Sequence, residues 1–137
     1  MTYTRDALGR ITQKVETIGG VTTTTVYGYD FAGRLTDVTT NGTLAAHYEY
    51  DGNGNRLSVT RPGTGTVSGT YDAQDRLESY GAVSYTYTAN GDLQTATSGG
   101  ETTTYTYDVF GNLTNVALLN GTHKGRLRDV ASFDDLW

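Results

Sequence analysis

A nine-residue pattern, Tyr-x-Tyr-Asp-x-x-Gly-Arg-Leu, recurs six times along this chain of 137 residues, and no other feature restricts its fold as strongly. The clearest copy is Tyr27-Gly28-Tyr29-Asp30-Phe31-Ala32-Gly33-Arg34-Leu35, followed closely by Tyr105-Thr106-Tyr107-Asp108-Val109-Phe110-Gly111-Asn112-Leu113. The other copies vary: Tyr3 to Ile11 has Arg5 in the second Tyr slot, and Tyr48 to Leu57, around Tyr50 and Asp51, carries one extra residue. Gly69 to Leu77 keeps Tyr71 and Asp72 but has Gly in the first Tyr slot, and Tyr85 to Leu93 keeps Tyr87 and Gly91 with Thr88 for Asp. The spacing of roughly 20 residues lies in the range of solenoids and arrays.

Each repeat reads as one β-hairpin. Segments such as Thr22 to Tyr29 and Leu35 to Val38 alternate with period two, which is strand chemistry, and the middle of the motif is the turn between them. Asp30, Asp51, Asp72 and Asp108 sit where a carboxylate accepts backbone N–H groups two or three residues on, and Gly9, Gly33, Gly91 and Gly111 where the chain needs positive φ. Between hairpins, Gly19-Gly20, Asn41-Gly42, Pro62-Gly63, Gly81, Gly99-Gly100 and Asn120-Gly121 are turn signals as well. The expectation is an all-β fold, one continuous antiparallel sheet of about twelve short strands, two per repeat. Composition agrees: 18 Gly, and threonine at about a fifth of all residues, exclude a helical bundle. With 36% hydrophobic residues, a thick two-layer core is not expected, so packing must lean on tyrosine rings, Leu and Val. Tyr at i and i+2 places both rings of a pair on one face, which predicts rows formed by Tyr27/Tyr29, Tyr48/Tyr50, Tyr85/Tyr87 and Tyr105/Tyr107.

These motifs resemble the RHS/YD-repeat family over about residues 1–122. The resemblance implies a hairpin array whose curved sheet winds as a spiral into a hollow shell, of which this chain would be an open portion. Such shells occur in bacterial polymorphic toxins, insecticidal toxin complexes and the extracellular part of teneurins. The implied role is a non-catalytic structural segment of a secreted or cell-surface shell that encloses or delivers a toxin cargo. The alternative is a cell-surface module whose tyrosine face binds carbohydrate or a partner protein. Six repeats are few for the family, and the chain begins almost inside its first motif, so it reads as a fragment whose partners are the rest of a longer shell or copies of itself joined through sheet edges. The family's closing Asp-Pro motif has no counterpart, since the one proline, Pro62, follows Arg61. Residues 123–137 abandon the pattern and read as a short amphipathic helix, through Val130, Phe133, Leu136 and Trp137, or as a frayed tail.

Chemistry beyond architecture finds little support. A net charge of −5 is the wrong sign for binding nucleic acid, and no apolar run is long enough for a signal peptide or membrane span. Asp51-Gly52-Asn53-Gly54-Asn55 opens like an EF-hand loop, but Arg56 replaces the required Gly and Pro62 the final acid. His47 and His123 lie far apart without Cys or clustered acids, and the serines lack a nucleophile elbow, so neither metal, cofactor nor catalytic residue is expected.

Overall fold

The computed structural model describes residues 1–120 and 123–124, which carry thirteen strands and no helix. The chain divides into two units, residues 1–69 and 70–137.

In the first unit, β1 (Thr2–Arg5), β2 (Ile11–Ile18), β3 (Val21–Tyr29), β4 (Leu35–Thr40), β5 (Thr43–Tyr50), β6 (Arg56–Arg61) and the start of β7 (Gly65–Tyr71) each pair antiparallel with their neighbours in sequence. The second unit takes up the end of β7 and continues with β8 (Leu77–Tyr80), β9 (Val83–Tyr87), β10 (Leu93–Ser98), β11 (Glu101–Tyr107), β12 (Leu113–Asn120) and β13 (His123–Lys124). From β8 to β13 the strands again follow sequence order, and among the described residues no later strand pairs back on an earlier one to close the sheet. The architecture is therefore all-β, antiparallel and open. His123–Lys124, placed in the tail by the sequence pattern, pair with β12, while the helix or frayed end expected after them lies outside the described residues.

Two kinds of turn alternate. Five-residue Asp turns join the strands of each repeat, and Gly-rich turns join one repeat to the next, as at Gly19-Gly20 with φ of 57° and 80°. Beside the Asp30 turn the register slips: Gly28 pairs with Asp37 but Tyr29 with Leu35, leaving Thr36 as an extra residue on the outgoing strand. The same bulge recurs beside Arg5, Tyr50, Leu93 and Tyr107, where it bends the ladder and increases its twist.

The third repeat departs from its sequence alignment. Asp51 and Gly54 keep the usual spacing, and Tyr50 pairs with Arg56, so the turn has no extra residue and Arg56 occupies the slot held by Leu35 and Leu113 elsewhere. Leu57 falls one residue later, in the bulge, and is 39% exposed.

Alternation gives the first unit an apolar and a polar face. Tyr27, Val38 and Ala46 lie across from one another, as do Tyr48, Val59 and Val67. The opposite face carries Gly28, Asp37, His47, Thr60 and Thr66 in one row and Glu49, Ser58 and Ser68 in the next. Val59 is the most buried large side chain at 1% exposure, with Ala46 at 5%. On the polar faces threonines satisfy each other across strands: Thr60 with Thr66 at 2.7 Å, Thr86 with Thr95 at 2.7 Å, and Thr97 with Thr102 at 3.0 Å.

Candidate functional site: the aspartate turns and the rings beside them

Every Asp turn is closed by its own residues. In the second repeat the Asp30 backbone N–H donates to the Arg34 carbonyl, and Gly33 N–H donates back to the Asp30 carbonyl, each at 3.0 Å. Gly33 has φ of 84°, a conformation that glycine adopts without the clash a Cβ would bring. The Asp30 carboxylate then reads the turn from inside, Oδ1 accepting the Arg34 backbone N–H at 2.9 Å and Oδ2 the Arg34 Nε–H at 2.7 Å. Asp6 and Asp72 repeat this arrangement with Arg10 and Arg76, each also accepting the N–H two residues on, from Leu8 and Gln74. Asp51 and Asp108 use the amide groups of Asn55 and Asn112 in place of the guanidinium. The carboxylate thus takes N–H groups two and four residues on, because the bulged five-residue turn folds the fourth residue back over it. Thr88 substitutes a hydroxyl, which accepts the Asp92 N–H at 3.1 Å, and in the fourth repeat Asp75 takes the glycine position with φ of 61°.

The arginine held by the turn reaches the next hairpin. Arg10 lies 4.7 Å from the centre of the Tyr29 ring, Arg34 4.9 Å from Tyr50, and Arg76 4.8 Å from Tyr87. Each of these hydroxyls donates to a backbone carbonyl just beyond that arginine: Tyr29 to Ile11 at 2.7 Å, Tyr50 to Leu35 at 2.9 Å and Tyr87 to Leu77 at 2.8 Å. Arg34 adds a second bridge, its Nη1 donating to the Asp51 carbonyl at 2.7 Å. The sequence pattern anticipates rings packed against rings; at these three junctions the ring face meets a guanidinium instead. Arginine is suited to this because its planar, weakly hydrated head stacks on an aromatic face while its Nε remains bonded to the aspartate. Tyr27, Tyr48, Tyr85 and Tyr105, in the first slots, lie half-buried on the same faces two residues away.

These contacts fix the ionisation of the turns. The Arg34 backbone N–H, followed by its guanidinium, holds the Asp30 carboxyl below its ordinary range. The Arg10 side chain does the same for Asp6, and the side-chain amides of Asn55 and Asn112 for Asp51 and Asp108. At Asp72 partial burial opposes ionisation, but the Arg76 N–H and guanidinium with the Gln74 N–H outweigh it. A depressed carboxyl stabilises the fold above the unfolded-state pKa of about 3.9, and that contribution disappears as pH falls through the lower folded-state values. The melting temperature is therefore expected to hold steady from pH 7 to about pH 5 and to drop steeply below about pH 4. A melting temperature constant down to pH 2 would show that these carboxylates do not hold the turns.

The same bonds answer the calcium reading of Asp51. Both of its oxygens face N–H donors, from Asn53, Asn55 and the Asn55 amide, and donors pointed at a carboxylate repel a cation. His47 pairs with Asp37 through Nδ1 at 2.7 Å, an interaction that depresses the Asp37 carboxyl, and Ser58 donates to Glu49 at 2.8 Å. The serine hydroxyl is thus engaged by a carboxylate rather than by the imidazole, so the two pairs form no nucleophile–base relay. Among the described residues no three His, Cys, Asp or Glu side chains group to hold a metal, and no helix is long and apolar enough to cross a membrane.

The teneurin YD-shell family model matches residues 1–124. Among solved structures the chain is similar to that of the Photorhabdus luminescens Tc holotoxin pore with a mutation in TccC3, at 17% identity over 93% of this chain and 9% of that chain, with a TM-score of 0.54. A crystal structure of TcdB2-TccC3-TEV is similar over 93% of this chain and 8% of that chain, at 20% identity and a TM-score of 0.40. The corresponding TcdB2-TccC3-Cdc42 structure matches over 90% and 8%, at 18% identity and a TM-score of 0.40. The chain thus spans less than a tenth of the length of these structures.

Proposed function

The chain belongs to the teneurin YD-shell family, and from that membership we propose that it is a non-catalytic wall segment of a larger YD-repeat shell that encloses or delivers a toxin cargo. The observation that carries this reading is the use made of the polar side chains. The Asp, Arg and Asn of the turns, the residues of the motif most capable of chemistry, are spent on closing hairpins, and the arginines and second-slot tyrosines on fastening one hairpin to the next. Such a segment works by being continuous and stiff, and its partners are the neighbouring repeats of the same shell, joined to it by the edges of its sheet. The family and the toxin-complex neighbour favour action outside the producing cell. Sugar stacking is the weaker reading, because at three junctions an arginine already covers the ring that would receive the sugar.

The test is protease protection of the natural reading frame that carries this segment. Cargo enclosed by the shell should survive digestion, and deletion of residues 1–122 should expose it. Equal digestion of the cargo with and without the segment would overturn the proposal.

A further inference from the structure

At the junction between the fifth and sixth repeats, the slot that holds a ring-stacked arginine at three other junctions carries an aspartate, and no arginine among the described residues lies on the ring. Tyr107 occupies the same slot as Tyr29, Tyr50 and Tyr87, and its hydroxyl donates to the Leu93 carbonyl at 2.9 Å just as theirs donate to Ile11, Leu35 and Leu77. Carrying the pairing of Thr95 with Thr104 back three residues sets Asp92 opposite Tyr107, as the pairing of Ser79 with Ser84 sets Arg76 opposite Tyr87. A carboxylate therefore stands where three other repeats hold a guanidinium. Among the described residues Asp92 makes no ion pair; its Oδ2 receives only the Thr88 hydroxyl, at a long 3.2 Å. A hollow of about 310 Å³ opens at this place, lined among others by Asn90, Asp92, Gln94, Tyr105, Tyr107 and Asp108.

We propose that this hollow is a receptor for an arginine side chain supplied from outside the repeat, its guanidinium seated on the Tyr107 ring and paired with Asp92. The three intact junctions supply the template, since in each the guanidinium stacks on the ring and bonds a carboxylate at 2.6–2.7 Å. At the fifth junction both receiving groups remain, but the carboxylate has moved to the arginine's own position, and among the described residues no arginine is stacked on the ring. Asn90 and Gln94 at the rim have side-chain carbonyls that can accept the remaining guanidinium N–H groups. An arginine fits better than a lysine because a flat head can lie on the ring and meet the carboxylate edge-on at the same time. The inference concerns what the wall binds and does not depend on whether it encloses a cargo.

The experiment is a titration of the isotopically labelled full chain with N-acetyl-arginine amide, followed by NMR. The expected result is saturable shifts confined to Asp92 and to Thr104 through Asp108, with half-saturation on the order of tens of millimolar, as one exposed ion pair and one ring contact provide. Asp92→Asn should weaken binding about two- to fivefold with the hairpins intact. Thr88→Asp/Asp92→Arg, which installs the chain's own clamp, should abolish it and raise the melting temperature. The same titration with Arg126→Gln/Arg128→Gln identifies the source: binding seen only in that background would make one of the chain's own arginines the occupant, whereas equal binding in both would make it a partner's. No saturable shift in either background, equal shifts with N-acetyl-leucine amide, or binding that persists unchanged in the two Asp92 variants would overturn the proposal.

Discussion

Replacing Tyr48 and Tyr50 together by Ala will cost about 3–5 kcal/mol of folding stability, while Tyr3→Ala will cost less than about 1 kcal/mol. Tyr48 lies directly across from Val59, the best-buried side chain of the unit. Tyr50 closes a junction by itself, with its hydroxyl on the Leu35 carbonyl and its ring under Arg34. Losing the pair removes apolar contact, leaves the Leu35 carbonyl without its donor and uncovers the face of the Arg34 guanidinium. Tyr3 is 48% exposed on the first strand, and its hydroxyl reaches only the Met1 sulfur at 3.3 Å. Urea denaturation of both variants decides the matter, and equal losses would mean that the rings are not what joins the repeats.

Val59→Ala is the second substitution with a large expected effect, about 2 kcal/mol, against less than about 0.5 kcal/mol for Val21→Ala. Both are valines in strands, but Val59 is 1% exposed and Val21 69%. In a sheet with so few fully buried side chains, most single truncations leave water free to fill the gap. At Val59 the neighbours Tyr48 and Val67 cannot close over the lost methyl groups without bending two ladders. Thermal melts of the two variants side by side would check this, and similar losses would place the first unit's packing elsewhere.

The hairpins and their antiparallel order were legible in the sequence because turn chemistry is local: an aspartate and a glycine three residues apart report on one another through five residues of backbone. What spans two hairpins was not. That Arg34 covers Tyr50 depends on the register of β4 against β5, itself displaced by bulges, and no spacing along the chain encodes a bulge. The pairing of His47 with Asp37 has the same origin. Arg56 was misaligned for a related reason, since the eye matches Leu57 to the repeated Leu whereas the backbone counts residues from Asp51. Asp92 in the arginine slot is visible in the sequence, but its bearing on Tyr107 emerges only once three of the other slots are seen to hold stacked guanidiniums.

Pairing each strand only with its neighbours in sequence has a consequence for how the chain reaches its fold. All-β proteins are generally slow because their strands must find distant partners, and the entropy of closing long loops is lost before any contact compensates for it. Within each unit here no such search is required. Each Asp turn carries its own carboxylate latch, so a hairpin needs only the residues it contains, and the next strand arrives at an edge already formed. The array can therefore be laid down in the order in which a ribosome delivers it, and its refolding rate should lie nearer that of a helical bundle than that of a sandwich of equal length.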